Sequence, residues 1–589
     1  MDFKRSDLTR KRPIRPAAAV FCAAVFGLIL LSPPEASLQV TRPAMPGPVD
    51  LPGGESVKDV MNPKMDYALA KLYEIYRVEG AEKAIAFAER RSIDLDANGV
   101  CVVAESEVGS AALRLIPEAL IVKSSIRALG GRIETTHRNL VQSRLPIPAL
   151  EALSLSSAVK YVRLPLTAAP QAEIISEGVA LTGADLWQSL TAYRNTGGAK
   201  IAVLDAGFIG YQSLLGSELP ASVTAKSFRA DGDLSAHVHG TACAEIVHDM
   251  APNAQLWLVN SSTYPEFLNA VDYLVDEGVK IISYSMGWWN AGDGRGTGPV
   301  CAAVDYAAEN GVLWSNSSGN DAERHWEGTF TDSDNDGWLD FSDGDEILSW
   351  WVPAFTSTGA YVNWDDWGTW TGSDYSGSGQ DYDITLYYYA NGIWNVAAES
   401  QNMQSGFQWP VEQAGDQFAT FGTWWGIGIK KSSATRNCRL EIFAYGNSGP
   451  VEYNVASGSL LIPSDSPSAI AVGASDWRDS SFHSYSSQGP THDGRIKPDF
   501  SAPSGVSTST YGLGSEIRRS GARALAPAAF YGTSASAPCL AGALALLLEK
   551  TPYSASRIVK ILGARAIDLG EAGEDNKFGR YGRLSLKNK

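Results

Sequence analysis

Short apolar runs alternate with helical patterns in the chain, and this alternation predicts its largest unit. The run AKIAVL, from Ala199 to Leu204, is apolar and β-branched, as is typical of a buried parallel strand. Residues 242 to 250 follow a helical pattern that ends at Ala251-Pro252. Residues 539 to 548 are apolar on every face, so this second helix belongs in a core. We therefore predict an α/β fold, in which a parallel sheet carries helices on both faces.

A different pattern precedes these segments. Residues 65 to 91 have helical periodicity that is broken near Gly80, which predicts two helices. From Cys101 to Pro165 the pattern predicts a strand, a helix ending at Gly130-Gly131, two strands, a second helix and a last strand. This βαββαβ order is typical of a ferredoxin-like domain.

A third pattern fills residues 320 to 455, which are rich in Trp, Tyr, Gly and Asp. Segments such as YDITLYYYA and WWGIGIKK alternate in the manner of strands and are separated by turn residues. They predict an antiparallel β-sandwich of the jelly-roll type, inserted into the α/β unit.

The N-terminal residues have the composition of a targeting segment. Six basic residues lie within the first 15 positions, and the apolar run from 17 to 31 is short for a membrane span. Ser32-Pro33-Pro34 breaks this run, and Ala36 is a small residue suited to cleavage. The pattern predicts a secretory signal peptide, hence a secreted, periplasmic or extracellular protein with no stable membrane span after signal removal. An uncleaved membrane anchor is the alternative.

Composition narrows the classes of partner. The chain has 589 residues, too many for one ordinary domain, and its net charge is −17. An acidic chain does not favour nucleic acid as a partner, because phosphate binding needs a basic surface. Outside the predicted signal peptide five cysteines remain, an odd number and too few for a disulfide framework, so at least one thiol is expected to stay free.

Three separate segments carry the residue types of a nucleophilic serine site. They contain Asp205 in KIAVLDAGF, His239 in HVHGTACAEI and Ser534 in YGTSASAPC. A serine hydroxyl becomes a good nucleophile when an imidazole takes its proton and a carboxylate orients that imidazole. Asp205 ends a predicted strand, where open α/β sheets place their sites, and the other two precede predicted helices. Pro538 is expected in the first turn of the helix after Ser534, where a missing N–H costs least.

The order Asp, His, Ser is the order of subtilisin, and the chain resembles the subtilisin-like serine proteases, or subtilases. IISYSMG at 281–287 and SSGN at 317–320 are similar to further motifs of the family. The resemblance implies that Asn320 completes the oxyanion hole. It also implies a set of substrate-binding residues, namely Ser285, Met286, Gly287, Ser318 and Gly319. The domain before the catalytic unit then resembles a propeptide, which would inhibit the enzyme until removed; a permanent accessory domain is the alternative.

One motif departs from the family pattern. The segment GTSASAP differs from the usual G-T-S-x-A-x-P of subtilases and is closer to the sedolisins, acid-acting peptidases that share the fold. Sedolisins replace the histidine by glutamate and the oxyanion asparagine by aspartate, whereas this chain has His239 and Asn320. Two alternatives stay open beside a subtilisin-type enzyme. They are an acid sedolisin-like peptidase and a catalytically inactive subtilase fold that acts as a binding module.

The segment DSDNDGWLDFSD within the predicted sandwich has the pattern of a calcium loop. Oxygen ligands stand at loop positions 1, 3, 5, 9 and 12, and Gly337 stands at position 6, as in an EF-hand loop. The predicted ligands of a structural Ca²⁺ are Asp332, Asp334, Asp336, Asp340 and Asp343. The alternative is a solvated acidic loop. No cofactor is expected for catalysis.

Together these patterns predict a secreted serine endopeptidase that cleaves protein or peptide substrates through an acyl-enzyme, with its own propeptide as inhibitor. The predicted boundaries are a signal peptide over 1–36, a linker over 37–57, a ferredoxin-like propeptide-type domain over 58–168, a subtilisin-like catalytic domain over 169–325 and 453–589, and the inserted β-sandwich over 326–452.

Overall fold

The structure is a computed structural model that describes residues 63–91, 93–106, 118–165, 169–170, 176–190, 198–511 and 530–587. The predicted signal peptide and the linker lie outside the described residues. Within these described ranges, no helix is both long enough and apolar enough to cross a membrane.

The N-terminal unit is an antiparallel sheet with helices packed on it. Its elements are α1 (Tyr67–Glu79), α2 (Ala81–Arg90), β1 (Leu95–Asp96), β2 (Gly99–Ser106), α3 (Glu118–Ala128), β3 (Arg132–His137), β4 (Leu140–Leu145), α4 (Leu150–Ser154) and β5 (Val159–Arg163). The path β1-β2-β4-β3 is joined by β5, which pairs with β2. The elements from β2 to β5 follow the predicted βαββαβ order, with the short strand β1 added before them. The sheet places β2 between β4 and β5. Gly80, with φ 91°, ends α1 and separates the two predicted helices.

The next segment begins the α/β unit. Its elements are β6 (Ala169–Pro170), α5 (Gly178–Thr182), α6 (Ala184–Gln188), β7 (Lys200–Asp205), α7 (Tyr211–Leu214), β8 (Thr224–Ser227), α8 (His239–Met250), β9 (Gln255–Asn260), α9 (Tyr264–Asp276), β10 (Ile281–Tyr284), β11 (Met286–Gly287), α10 (Pro299–Glu309) and β12 (Leu313–Ser317).

An insert of eight strands follows. These are β13 (His325–Thr329), β14 (Leu348–Val352), β15 (Thr356–Trp364), β16 (Tyr382–Ala390), β17 (Ile393–Ser400), β18 (Val411–Ala419), β19 (Thr423–Lys431) and β20 (Arg439–Tyr445). The α/β unit then resumes with β21 (Ala469–Asp476), β22 (Phe500–Ser504), α11 (Thr533–Lys550) and α12 (Ala555–Arg565).

A seven-stranded parallel sheet forms the centre of the α/β unit, in the order β22-β21-β12-β10-β7-β9-β8. Alternate residues of β7 are buried on opposite faces, as the pleat of a strand requires. Ile201 and Val203 belong to the core that includes α8 and α11, whereas Ala202 and Leu204 belong to the core that includes α9 and α10. The prediction of helices on both faces is therefore confirmed.

The insert folds as two four-stranded antiparallel sheets, β13-β20-β15-β18 and β14-β19-β16-β17. Side chains from both sheets share one core, including Trp350, Val362, Ile384 and Ile442. The aromatic residues that the sequence places on strands thus serve mainly as core, and the predicted sandwich is present.

The insert touches both other units. Trp289, two residues after β11, stacks on Tyr361 of the insert with ring centroids 4.7 Å apart. On the N-terminal unit, Lys160 forms an ion pair with Asp374 of the insert. Arg163 also lies over the ring of Trp409, with 5.8 Å between its Cζ and the ring centroid. The N-terminal unit also contacts α9 of the α/β unit, where His137 Nδ1 lies 3.2 Å from Asn269 Oδ1. It therefore contacts both the insert and the α/β unit.

Candidate active site

Asp205 and His239 meet because one strand ends where one helix begins. Asp205 is the last residue of β7, and His239 is the first residue of α8. The Nδ1 atom of His239 lies 2.8 Å from Oδ1 and 2.9 Å from Oδ2 of Asp205. Gly240 permits this approach, since a Cβ there would lie 2.8 Å from the Cβ of Asp205 and 2.6 Å from the carbonyl oxygen of Gly207. The predicted pair is thus brought together in a buried position.

Two opposing effects act on the pKa of His239. Burial alone would lower it, because an apolar site disfavours the charged imidazolium. The negative charge of Asp205 and its hydrogen bond to the ring outweigh burial and raise the pKa well above its ordinary value. The backbone N–H of His239 donates to Nδ1 of His237 at 3.0 Å. His237 therefore helps to hold the start of the helix, a role that the sequence pattern does not reveal.

Ser534 lies in the first turn of α11 and is fully buried. The expectation that Pro538 also lies in the first turn is wrong: the helix begins at Thr533, which places Pro538 in the second turn. Proline has no N–H, so the carbonyl of Ser534 cannot receive its usual helical hydrogen bond. Ser285 Oγ donates to that carbonyl at 2.9 Å instead, and Cys243 Sγ lies 3.7 Å from it.

Ser285, predicted as a substrate-binding residue, also forms two hydrogen bonds with Ser534. While its hydroxyl donates to the carbonyl of Ser534, its own carbonyl accepts a hydrogen bond from Ser534 Oγ at 3.3 Å. These two hydrogen bonds link Ser534 to the residue that follows β10. The sequence signal that could have revealed this link is a proline four residues after the serine, which leaves one helical carbonyl in need of another donor.

Asn320 is tied to the same helix start. Its Oδ1 accepts hydrogen bonds from the backbone N–H of Thr533 at 2.9 Å and from Thr533 Oγ1 at 3.1 Å. This arrangement makes Nδ2 the donor end of the amide, as an oxyanion hole requires. Gly319, with φ 116°, brings the chain into place, and a Cβ there would lie 2.5 Å from Ser487 Oγ.

The remaining predicted substrate residues fall into two groups. Met286 and Gly287 form β11, which pairs antiparallel with β6: Met286 faces Pro170 and Gly287 faces Ala169. The chain that follows the N-terminal unit is thus paired with the predicted substrate strand. Ser318 is buried and bound within the sheet, since its N–H donates to the carbonyl of Val472 at 2.9 Å.

The acidic loop of the insert gathers carboxylates. Oxygen atoms of Asp332, Asp334 and Asp336 all lie within 4.8 Å of one another. Asp332 also accepts a hydrogen bond from the N–H of Gly337 at 3.0 Å, and Gly337 has φ 93°. Asp340 Oδ2 accepts from the N–H of Ser333 at 2.6 Å. The loop therefore forms an acidic cluster that could hold a metal ion.

Glu346 joins this cluster and is missed by the sequence pattern. Burial and the charges of Asp336, Asp334 and Asp340 raise its pKa to about 7. Glu346 follows the last position of the calcium motif by three residues, so a search in the EF-hand register does not reach it. Asp343, the predicted ligand at that last position, is exposed and is not part of the close group of three.

Comparisons with known proteins show similarity to one family of sequences. The model of the subtilase family matches residues 196–347 and 372–581. A segment of 57 residues is 46% identical to an extracellular serine protease of Serratia marcescens; it covers 10% of this chain and 5% of that protein. The chain thus matches only about one-twentieth of the length of this curated relative.

Solved structures of low identity are also similar. The CspB protease of Clostridium perfringens is 16% identical, with 70% of this chain and 96% of that chain covered and a TM-score of 0.43. Fervidolysin of Fervidobacterium pennivorans, described as a keratinolytic enzyme, is 16% identical and has a TM-score of 0.41. The match covers 84% of this chain and 61% of that chain.

Proposed function

This chain belongs to the subtilase family, and from that premise we propose that it is a secreted serine endopeptidase acting on protein or peptide substrates. The observation that carries the proposal is the Asp205–His239 pair, which lies near the start of α11: Cys243 Sγ is 4.0 Å from His239 Nδ1 and 3.7 Å from the carbonyl oxygen of Ser534. At the same helix start Asn320 accepts a hydrogen bond from the N–H of Thr533. The proposed groups come from separate parts of the fold: Asp205 ends β7, His239 begins α8, Ser534 lies in α11 and Asn320 lies in the loop after β12.

In the proposed mechanism Ser534 Oγ attacks the carbonyl carbon of the scissile peptide, and His239 Nε2 takes the hydroxyl proton. Asp205 keeps the other ring nitrogen protonated and stabilises the imidazolium that forms. Asn320 Nδ2 and the N–H of Ser534 donate to the oxyanion. The intermediate collapses as His239 gives its proton to the leaving amine, and water then releases the acyl group by the same steps.

We further propose that the N-terminal unit is a propeptide that inhibits the enzyme. The pairing of Ala169–Pro170 with Met286–Gly287 supports this role, because an extended segment there excludes a substrate strand. In this antiparallel register Ala169 lies opposite Gly287 and Pro170 lies opposite Met286, so the segment is directed toward Ser285. The carbonyl of Ser285 accepts a hydrogen bond from Ser534 Oγ. We therefore propose cleavage between 170 and 176, slightly beyond the predicted boundary at 168.

The acidic loop is proposed to bind a structural Ca²⁺. Asp332, Asp334 and Asp336 would supply oxygen ligands, which suit a hard cation. Glu346 faces the same cluster and is proposed as a further ligand in place of Asp343. The cation would offset the repulsion among these carboxylates and thereby stabilise the insert.

A fluorophosphonate probe tests the proposed activity. We expect covalent labelling of the mature protein at Ser534 and hydrolysis of an unstructured protein substrate, with both lost in Ser534→Ala. Absence of labelling in a folded protein would favour the inactive binding module. Labelling with maximal hydrolysis near pH 4 would favour the sedolisin-like alternative.

A further inference from the structure

A group of two histidines and two glutamates lies where the insert joins the catalytic unit. His325 and Glu327 are on β13, Glu441 is on β20, and His492 is on a loop between β21 and β22. Ligand atoms of His325, Glu327 and Glu441 all lie within 4.8 Å of one another. Nε2 of His492 lies 3.4 Å from Glu441 Oε1 and 3.9 Å from Glu327 Oε2. None of these four residues takes part in the proposed triad.

The backbone fixes the orientation of both histidine rings. Nδ1 of His325 lies 2.5 Å from the carbonyl oxygen of Val455, and Nδ1 of His492 lies 2.8 Å from that of Asp293. A carbonyl can only accept, so each Nδ1 carries the proton and donates it. In a neutral ring the lone pair is then on Nε2, and each Nε2 faces Glu441. Metal-binding histidines show this same pattern, with one nitrogen bound to the metal and the other donating to a carbonyl.

Both carboxylates are oriented in a similar way. Glu441 Oε2 accepts from Asn363 Nδ2 at 2.7 Å, while its Oε1 lies 3.1 Å from Nε2 of His325. Glu327 Oε1 accepts from Arg439 Nη1 at 2.8 Å, while its Oε2 is the oxygen nearest His492. Each carboxylate thus has one oxygen held by a neighbouring donor and the other directed at a histidine.

The strand register adds an independent observation. Glu327 and Glu441 are directly opposite each other in the antiparallel β13–β20 pair. Like charges in this position repel and destabilise a sheet unless a cation lies between them. Glu441 is also buried, so water screens its charge poorly.

We propose that His325 Nε2, His492 Nε2, Glu441 Oε1 and Glu327 Oε2 bind one zinc-class divalent ion. Zinc bonds of about 2.0–2.1 Å in a tetrahedron place neighbouring ligand atoms about 3.4 Å apart. Glu441 Oε1 lies 3.1 Å from His325 Nε2 and 3.4 Å from His492 Nε2, and Glu327 Oε2 lies 3.9 Å from His492 Nε2. Imidazole ligands favour zinc over calcium, which prefers all-oxygen sites. Four protein ligands fill a tetrahedral shell and leave no place for a reacting water, so the ion is structural.

The ion would link the insert to the catalytic unit close to Asn320, the proposed oxyanion residue. Three ligands belong to the insert, whereas His492 belongs to the loop between β21 and β22 of the catalytic unit. In the same loop, Ser487 Oγ accepts a hydrogen bond from the N–H of Asp321 at 3.0 Å. This inference does not depend on the proposed activity, so it can be tested in an inactive protein.

The test uses the full chain with Ser534→Ala, prepared without a polyhistidine tag, stripped with a chelator and dialysed against ZnCl₂ in excess CaCl₂. Elemental analysis should find about one zinc per chain. We expect His325→Ala and Glu441→Gln to lose it, and His492→Ala to weaken binding about tenfold or more. His137→Ala is a matched control because its Nδ1 also lies near a carboxylate, at 3.5 Å from Asp272, but outside the group.

A second control separates this group from the triad, since Asp205, His239 and Cys243 also place ligand atoms within 4.8 Å. His239→Ala should keep the zinc. Loss of zinc in His239→Ala with retention in His325→Ala would overturn the proposal, as would unchanged zinc in both His325→Ala and Glu441→Gln.

Cobalt provides a readout that needs no substitution. Co²⁺ in the unsubstituted site should give the intense visible absorption of a tetrahedral ion, which addition of zinc should abolish. Stoichiometric zinc should also raise the unfolding temperature of this chain, because binding to the folded state stabilises it. A folded protein that gives no cobalt spectrum and no shift in unfolding temperature would show that the group is only a network of hydrogen bonds.

Discussion

Asp205→Asn should separate the two effects that the structure assigns to this carboxylate. The substitution keeps the shape of the side chain and removes its charge. An asparagine amide can also donate to Nδ1 of His239, which would place the ring proton on Nε2, where it cannot accept the hydroxyl proton of Ser534. The expected result is a large loss of kcat with little change in KM.

The size of the loss follows from the burial of the pair. Removing one partner of a buried, hydrogen-bonded charge pair costs about 3–5 kcal/mol. In this enzyme the pair is charged when His239 has become an imidazolium, so the cost falls on that state of the reaction. The wrong tautomer adds to this cost, and a loss of about 10⁴-fold in kcat corresponds to about 5.4 kcal/mol.

The pH profile should move as well. Hydrolysis needs neutral His239, so activity rises as the pH passes its pKa. In the unsubstituted enzyme Asp205 raises that pKa well above its usual value, and the rise should therefore extend into mild alkali. Without the charge, burial lowers the pKa, so the residual activity of Asp205→Asn should rise at a lower pH than that of the unsubstituted enzyme.

The assay is steady-state hydrolysis of a chromogenic peptide from pH 5 to 10, with active sites counted by a fluorophosphonate. Asp276→Asn, an exposed position on α9, controls for loss of one negative charge. The reasoning would be refuted if Asp205→Asn kept kcat within about tenfold of the control. A shift of the rise in activity toward higher pH would refute the account of the pKa.

Three further outcomes are expected. Asn320→Ala should lower kcat about 10²–10³-fold with little effect on KM, measured with the same peptide; an unchanged kcat would remove this residue from the oxyanion hole. The Ser534→Ala precursor should remain uncut, whereas N-terminal sequencing of the active protein should place the new terminus between 170 and 176; efficient self-processing of the variant would contradict this. Chelation should lower the unfolding temperature in a calcium-reversible way, and a double Asp332→Ala, Asp336→Ala variant should be insensitive to calcium; equal calcium titrations of both proteins would exclude the loop.

Local patterns in the sequence predicted the overall architecture and the pairing of Asp205 with His239. The two-residue period of strands and the 3.6-residue period of helices are properties of neighbouring residues, so they revealed the βαββαβ unit, the α/β sheet and the sandwich. Asp205, His239 and Ser534 each lie in a short motif at the end of a strand or the start of a helix. Their order along the chain, together with Asn320, predicted a common site, and the assignment of Ser534 to that site stays a prediction.

Only the tertiary structure could bring together residues that no motif connects. Pro538 signals that the carbonyl of Ser534 needs another donor, but only the packing of α11 against β10 makes Ser285 that donor. His325 and His492 are far apart in the sequence. Both face Glu441 only because the insert packs against the loop between β21 and β22 of the catalytic unit. Such contacts are set by how whole units pack, which periodicity within a short window does not encode.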